Sequence, residues 1–494
     1  MIISKNLDNN IKRIETVFLG NGDVVKRRFR MGKTDNYAYV LFIDNMANAL
    51  LIENTVIRPL ISNTKHADEN LSHQRVFQNL LLTISESILI ATDMKTTDDF
   101  DQCMAAVMTG DTALFVSGCD QAIIIASRGF AGRGVPTTET EIVVQGSKEA
   151  FAESLRTNTM LIRRRLRDQN LVIDQTVVGA LTKTDVAVIY VKEIVREQVL
   201  QEVKDKINQI QTDAILDIGY LEQYIENDYL SPFPQCQVTE RPDKAVAALL
   251  EGRIVIIADN SPFVLVVPCV LSCFFQSPED YYGRFEIASM TRALRYVGAL
   301  IAMVLPGLYL AIALYHPNMI PTELLLKMAN ARLTVPFPAL VEILIMDIAF
   351  ELLKEAGVRL PSSIGSTLGV VGGIIIGQAA VEAGLVSPIV VIVVALTAIC
   401  GFTMPTISLN AGIRICKYLL VLTSAFMGLL GFWVGAVVIL IHLASLKSFG
   451  FPYLYPFVSS DLNGYNDLKD TVVRPPLFMM KRRPIFAKPD HRKH

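Results

Sequence analysis

Within the apolar stretch GVVGGIIIGQAAVEAG (Gly369–Gly384) stand a glutamine, Gln378, and a glutamate, Glu382. A second apolar stretch, Phe337–Leu353, carries Glu342, Asp347 and Glu351. A charge at the centre of a bilayer costs about 2.5–3.5 kcal/mol on insertion scales, so such groups persist where they conduct, pair or pack. Helical spacing sorts the segment Ile364–Val381 into two stripes. Ser366, Gly369, Gly373 and Gly377 form one, and small residues there let a second helix approach closely. Thr367, Val371, Ile374, Gln378 and Glu382 form the other, with Ile375 at its edge. That stripe is polar at both ends and aliphatic in the middle. In a ring of subunits it makes an apolar constriction with a carboxylate mouth. Apolar constrictions gate by dewetting, and acidic rings favour cations. The alternative is structural: the glycines pack, Gln378 bonds to a neighbour, and Glu382 lies in the headgroup zone. Glu342, Asp347 and Glu351 fan over a broad helical face. They are assigned to support rather than conduction, shielded from lipid, with Arg332, Lys354 or Arg359 as partners if the segment is interfacial.

No catalytic constellation accompanies these residues. GxxxxGK[ST], HExxH and GxSxG are all missing, and the six histidines are dispersed. His316 and His442 fall near the ends of apolar segments, where an interfacial role is expected. Seven cysteines are scattered without a CxxC. Cys269 and Cys273 share a helical face but have no His or Asp beside them, so packing is expected over metal. No enzyme activity, cofactor or metal is expected. One basic cluster stands out: Arg156, Arg163, Arg164, Arg165 and Arg167 in RTNTMLIRRRLR. It reads either as a solvated helix face paired with nearby acids or as a docking patch for anionic lipid or a partner subunit. Three consecutive arginines spread over nearly a full turn and cannot all meet one partner.

The elements that must position these residues divide the chain in two. Hydrophobic residues make up 51% and charged residues 19%, below the roughly one quarter charged of an ordinary soluble chain. Mean hydropathy is +0.38. Residues 1–245 carry charges throughout. Residues 254–446 hold nearly all the long apolar runs. The expected fold is an α/β soluble N-terminal region of two lobes, 1–135 and 140–245, followed by an all-α transmembrane domain, 246–450, and a basic cytoplasmic tail, 451–494. Tyr37–Asp44 and Val186–Val191 read as buried strands, and Asp111–Ser127 as a hairpin turning at or near Gly118. Leu71–Ile88, Lys148–Arg167 and Lys192–Ile210 read as amphipathic helices, and Ser231–Asp243, with three prolines, as a connector.

The apolar candidates for spanning are Ile254–Phe275, Ala293–Tyr315, Phe337–Leu353, Ile364–Val381, Ser387–Thr406 and Leu419–Leu446. Ile254–Phe275 contains Asp259, Asn260, Pro262 and Pro268 and is expected to be broken or re-entrant. The N-terminus shows no apolar core followed by small residues, so the soluble half is expected in the cytoplasm. The basic tail is expected there too. An even number of crossings follows, four or six. A net charge of −2 offers no reason to propose nucleic acid as a partner.

The blocks SLRTNTMLIRRRLR, EGRIVIIADNSPFVLVVP, SPEDYY, GQAAVEAGLVSP and HLASLKSFGFPYLYPF resemble signature blocks of the A subunits of GerA-type spore germinant receptors. That family includes the sporulation paralogue SpoVAF, which stays open as an alternative. The matching blocks run from about Leu7 to Pro484. The resemblance implies a membrane protein of the dormant spore's inner membrane, both termini cytoplasmic, with contact to membrane lipid. It implies a permease-like B subunit and a lipoprotein C subunit as partners. It also implies a homo-oligomer, expected as a pentamer, forming a nutrient-gated channel for monovalent cations. With the resemblance, the stripe Thr367–Glu382 is read as pore-lining. Two other classes remain: a non-conducting scaffold for partner subunits and a secondary transporter. A transporter should show an internal repeat, and none is found.

Overall fold

A computed structural model describes residues 2–32, 35–62, 81, 84, 89–90, 93–129, 136–359, 373, 377–458 and 467–491. The chain divides into two compact units. The first comprises Met1–Glu226, Cys236–Pro268 and Met480–His494; the second comprises Asn227–Gln235 and Cys269–Met479.

Unit 1 contains two antiparallel five-stranded sheets. The first has β1 (Val24–Arg30), β2 (Tyr37–Ile43), β3 (Met94–Thr97), β4 (Thr112–Val116) and β5 (Ala122–Ile125), in the order β1-β2-β4-β5-β3. The second has β6 (Leu171–Val178), β7 (Thr184–Val191), β8 (Gln237–Thr239), β9 (Ile254–Ala258) and β10 (Val264–Val267), in the order β6-β7-β9-β10-β8. The orders are the same, so one lobe repeats the other. Helix α1 (Phe100–Met108) leads into β4 as helix α3 (Pro242–Leu250) leads into β9. Asp99 caps α1 by accepting from the Asp101 amide at 3.0 Å, whereas α3 starts on Pro242. Gly110 and Gly252 close the two helix-to-strand turns at φ of +97° and +87°. An internal repeat therefore exists in the charged half of the chain.

Strand alternation explains the cores. Tyr39, Leu41 and Ile43 of β2 enter one buried cluster, while Ala38, Val40 and Phe42 enter another on the opposite face. The first cluster is shared by both lobes, running from Ile14 and Phe115 through Leu161 of helix α2 (Leu155–Arg165) to Ile189 and Val255. A buried ion pair reinforces this junction. Arg163 on α2 reaches both oxygens of Asp23, the Asn21 side-chain oxygen at 2.7 Å and the Leu171 carbonyl at 3.4 Å. Asn21 also accepts from the Ile173 amide at 3.0 Å, which fixes the turn before β1 against β6.

The structure corrects the expected boundary. Ile254–Phe275 is not a broken membrane segment: Ile254–Val267 forms the hairpin β9–β10, paired to β7 and β8 inside the second sheet. Its apolar run reflects strands buried on both faces. Gln237–Thr239, within the expected connector, is strand β8, so the second lobe extends past residue 245 to Pro268. The expected tail is also divided: Met480–His494 belongs to unit 1. Strands Tyr37–Asp44 and Val186–Val191 and the hairpin around Gly118 are found as expected. The helix expected from Lys148 starts at Leu155, and the one expected from Lys192 spans Glu197–Asn208. Leu71–Ile88 lies almost wholly outside the described residues.

Unit 2 is helical. Helix α4 (Phe285–Tyr315) and helix α8 (Ile407–Ser445), of 31 and 39 residues, are long and apolar enough to cross a membrane. They lie close: a Cβ on Gly307 would sit 3.1 Å from the Leu420 backbone. The expected span Leu419–Leu446 is not one straight helix, because α8 breaks at Gly428 (φ 61°, ψ −138°). There the Tyr315 hydroxyl donates to the Ala425 carbonyl at 2.8 Å, and a Cβ on Gly428 would meet the Tyr315 Cβ at 2.8 Å. Between α4 and α8 come α5 (Thr322–Arg332), α6 (Ala339–Arg359) and the shorter apolar helix α7 (Pro388–Gly401).

The corrected boundary predicts how unit 1 behaves when isolated. Residues 1–268 should express as a folded, water-soluble α/β fragment. Residues 1–245 should not, because losing β9 and β10 strips the paired edge of β7 and leaves buried backbone groups unsatisfied. Circular dichroism and size-exclusion chromatography of the two fragments check this; a monodisperse, cooperatively melting 1–245 fragment would contradict the sheet order.

Candidate functional site

Helix α6 carries four acidic residues, and three of them, Glu342, Asp347 and Glu351, each meet a base. Asp347, 7% exposed, binds the Lys417 ammonium at 2.5 Å. Glu351 binds Arg414 at 2.7 Å. Rising numbers on α6 meet falling numbers on α8, so the two helices run antiparallel along this double bridge. Glu342 is fully buried. One of its oxygens accepts from the Ser387 amide at 2.9 Å, at the start of α7, where the helix dipole favours a negative charge. The other faces Arg332 at 3.3 Å. Of the partners expected from the sequence, Arg332 is found. Lys354 instead lies over the Phe402 ring at 5.4 Å, and the side chain of Arg359 lies outside the described residues. Arg414 and Lys417 were missed. The signal was present: two bases three residues apart in an apolar helix, just ahead of the span expected to begin at Leu419.

A cavity of about 220 Å³ opens beside these pairs, lined by Asp347, Glu351, Thr397, Asn410, Arg414 and Lys417 among others. Ionisable groups inside a membrane protein characteristically face such interior space or each other.

The expected pore stripe is only partly described. Thr367, Val371, Ile374 and Ile375, and the packing residues Ser366 and Gly369, lie outside the described residues. Gln378 and Glu382 are exposed on the helical stretch 377–382, and the Gln378 amide donates to the Glu382 carboxylate at 2.9 Å. Gly377 faces inward, and a Cβ on it would touch Val391 at 3.5 Å. Gly373 has no described neighbour within 4 Å of a Cβ position.

The arginine cluster has carboxylate partners. Arg163 is 1% exposed and bound to Asp23, which removes it from any lipid- or partner-facing surface. Arg164 and Arg165 both bind Glu149, Arg165 at 2.6 Å, and Arg156 binds Asp44 at 3.1 Å. Burial raises the Glu149 carboxyl's pKa, but hydrogen bonds and charge from Arg164 and Arg165 outweigh burial and hold it below the usual value. Arg167 donates to the Arg164 carbonyl at 3.2 Å and stays exposed. Sequence spacing cannot reveal these pairings, because Asp23 and Asp44 lie more than a hundred residues away from the helix.

A second buried cluster was not anticipated. Asp280, in the block SPEDYY, binds Arg292 at 3.2 Å and Arg295 at 2.8 Å, both on α4. Arg292 also binds Asp470 at 2.9 Å, and the Tyr281 hydroxyl donates to Asp470 at 2.8 Å. The spacing Arg292–Arg295 at the charged end of α4 was the available clue.

Comparison with known proteins places this architecture. The family model described as Bacillus/Clostridium GerA spore germination protein matches residues 12–486. Spore germination protein KA of Bacillus subtilis (strain 168) is 39% identical over 485 residues, covering 98% of this chain and 87% of that protein. Spore germination protein GerLA of Bacillus cereus is 36% identical over 481 residues, covering 97% and 95%. The crystal structure of the N-terminal domain of the A subunit of the Bacillus megaterium spore germinant receptor GerK3 aligns at 29% identity with a TM-score of 0.43, covering 55% of this chain and 98% of that one. With a match spanning nearly its whole length, the chain belongs to the GerA spore germination family.

Proposed function

We propose that this chain is the A subunit of a spore germinant receptor and that copies of it assemble into a nutrient-gated channel for monovalent cations in the spore inner membrane. A permease-like B subunit and a lipoprotein C subunit are its partners in this reading, and both termini are cytoplasmic. The observation that carries the channel reading is the pair Gln378–Glu382. It stands exposed on one face while Gly377 on the other packs against Val391. A polar face left open on an otherwise apolar helix suits the mouth of a pore lined by several copies. Thr367, Val371, Ile374 and Ile375 continue that stripe as its lining. Gly373, with no described neighbour, has its close-packing partner in another copy.

The acid–base pairs and the hairpin at Ile254–Val267 weigh against the secondary transporter, whose motive was three carboxylates in an apolar segment and the interrupted segment Ile254–Phe275. Each of Glu342, Asp347 and Glu351 has a base within 3.3 Å. Their role is to hold α6 against α5 and α8. A scaffold without conduction differs from the receptor channel in an observable way: it passes no ions.

Flux through the purified full-length protein in liposomes tests the channel. Glu382→Gln should lower cation flux by up to about tenfold, since a like-charged mouth concentrates counter-ions by about that much or more, with oligomer content unchanged. Alanine at Val371, Ile374 or Ile375 should make the closed state leak. Tight closure in all three, with normal flux in Glu382→Gln, would move the pore to another helix.

The support role makes a separate prediction. Asp347→Asn leaves Lys417 buried without its partner, a loss of about 3–5 kcal/mol. Thermal melts in detergent should therefore fall sharply, whereas Asp347→Asn combined with Lys417→Met should recover most of the loss. Altered ion selectivity in Asp347→Asn without weakened assembly would instead put this pair in the conduction path.

A further inference from the structure

The two lobes of unit 1 are not equally complete. In lobe 1 the chain runs on past β5, and Arg128 forms an antiparallel bridge with Ala47. The Gly129 amide donates to the Met46 carbonyl at 3.1 Å, and the Asn48 amide to the Ser127 carbonyl at 2.7 Å. This bridge lies beside Gly110, where a Cβ would strike the Met46 carbonyl at 2.9 Å and touch the Arg128 side chain at 3.5 Å. In lobe 2 the chain leaves after β10 for unit 2, so the equivalent bridge is not supplied from there.

The place is filled all the same. Val195, the counterpart of Ala47, forms an antiparallel bridge with Ala487. The Lys488 amide donates to the Ile194 carbonyl at 2.8 Å, as Gly129 does to Met46. Arg196 donates from Nε to the Ala487 carbonyl at 3.1 Å, and Arg483 from Nε to the Leu250 carbonyl at 2.9 Å. Ala487 is fully buried and joins the core shared by the lobes, while Phe486 is 4% exposed with the Arg253 guanidinium 5.4 Å from its ring centre. Gly252 makes room: a Cβ there would sit 2.7 Å from the Ala487 Cα.

We propose that lobe 2 carries a docking slot, formed by Ile194–Arg196 and Gly252, whose occupant is the turn Pro484–Lys488 of the same chain, closed by the Ala487 amide donating to the Pro484 carbonyl at 3.2 Å. The antiparallel bridge at Val195–Ala487 and the backbone bond from Lys488 to Ile194 hold the segment, and the buried Phe486–Ala487 pair provides selectivity. The contact is short, so it is a clasp whose release exposes the Ile194–Arg196 edge of lobe 2. The chain departs lobe 2 at Pro268 and returns to it at this segment. This assignment goes beyond the channel reading and does not depend on it.

The test uses thiol chemistry on the full-length protein in its membrane. Val195 and Ala487 face each other as a pair without a direct hydrogen bond between them. Such pairs bring Cα atoms to about 4.5 Å, within disulfide range. Under mild oxidation, Val195→Cys/Ala487→Cys should form an intrachain disulfide, while either single variant should not. A cross-link between two chains would overturn the assignment of the occupant, and no cross-link would overturn the slot. Separately, Val195→Cys alone should be inert to a maleimide, and adding Ala487→Asp should eject the segment and speed labelling ~tenfold or more. Equal inertness of the two would show that another part of the protein covers Val195, and would overturn the proposal.

Discussion

The Lys417 ammonium and the Asp347 carboxylate meet at 2.5 Å in the interior of the helical unit, and the surrounding helices answer to that meeting. An ion held away from water is tolerated only when its counter-charge and hydrogen bonds are close at hand. That single requirement orients α6 along α8, puts Arg414 opposite Glu351, and brings the start of α7 onto Glu342. The same requirement acts in the first unit, where Arg163 binds Asp23 and so joins the turn before β1 to the helix between the lobes. It acts again where Asp280 gathers Arg292 and Arg295. Burying these pairs is not in itself a gain in stability; their contribution is to exclude arrangements in which one partner would be left alone.

Against this framework, the exposed Gln378–Glu382 pair is the exception. Glu342, Asp347 and Glu351 each have a base beside them, while Glu382 has an amide from its own helix. A polar group that satisfies itself and leaves its face open is suited to meeting water or ions. The packed charges hold the helices, and the open pair offers a surface on which charge can act. The channel proposal rests on this division between supporting and solvent-facing charge.

The duplication in unit 1 has a physical consequence of its own. In each copy of the repeated sheet a later segment bridges back to the same place, because the backbone at Met46 and at Ile194 presents the same open carbonyl. Lobe 1 makes that bridge from the next residues of its chain. Lobe 2 sends those residues elsewhere and makes it from the far end of the sequence. The positive φ at both Gly110 and Gly252 keeps the two slots open to a close backbone approach that a side chain would block.

Local patterning by itself determined a good deal. The alternation in Tyr37–Asp44 and Val186–Val191 identified β2 and β7, and the apolar length of Ala293–Tyr315 identified the core of α4. The ordered family blocks pointed to the family that the match over residues 12–486 establishes. Tertiary structure decided the rest. Ile254–Val267 has the same apolar run whether it lies in lipid or between two layers of protein, since composition cannot distinguish the two surroundings; only the pairing with β7 and β8 does. The charge partners were hidden for a different reason. Lys417 is seventy residues from Asp347, and Asp23 is a hundred and forty from Arg163. Helical spacing reports neighbours on one helix, whereas ion pairs form across helices. The partners of a buried charge are therefore set by how distant segments pack, and that is visible only in the folded chain.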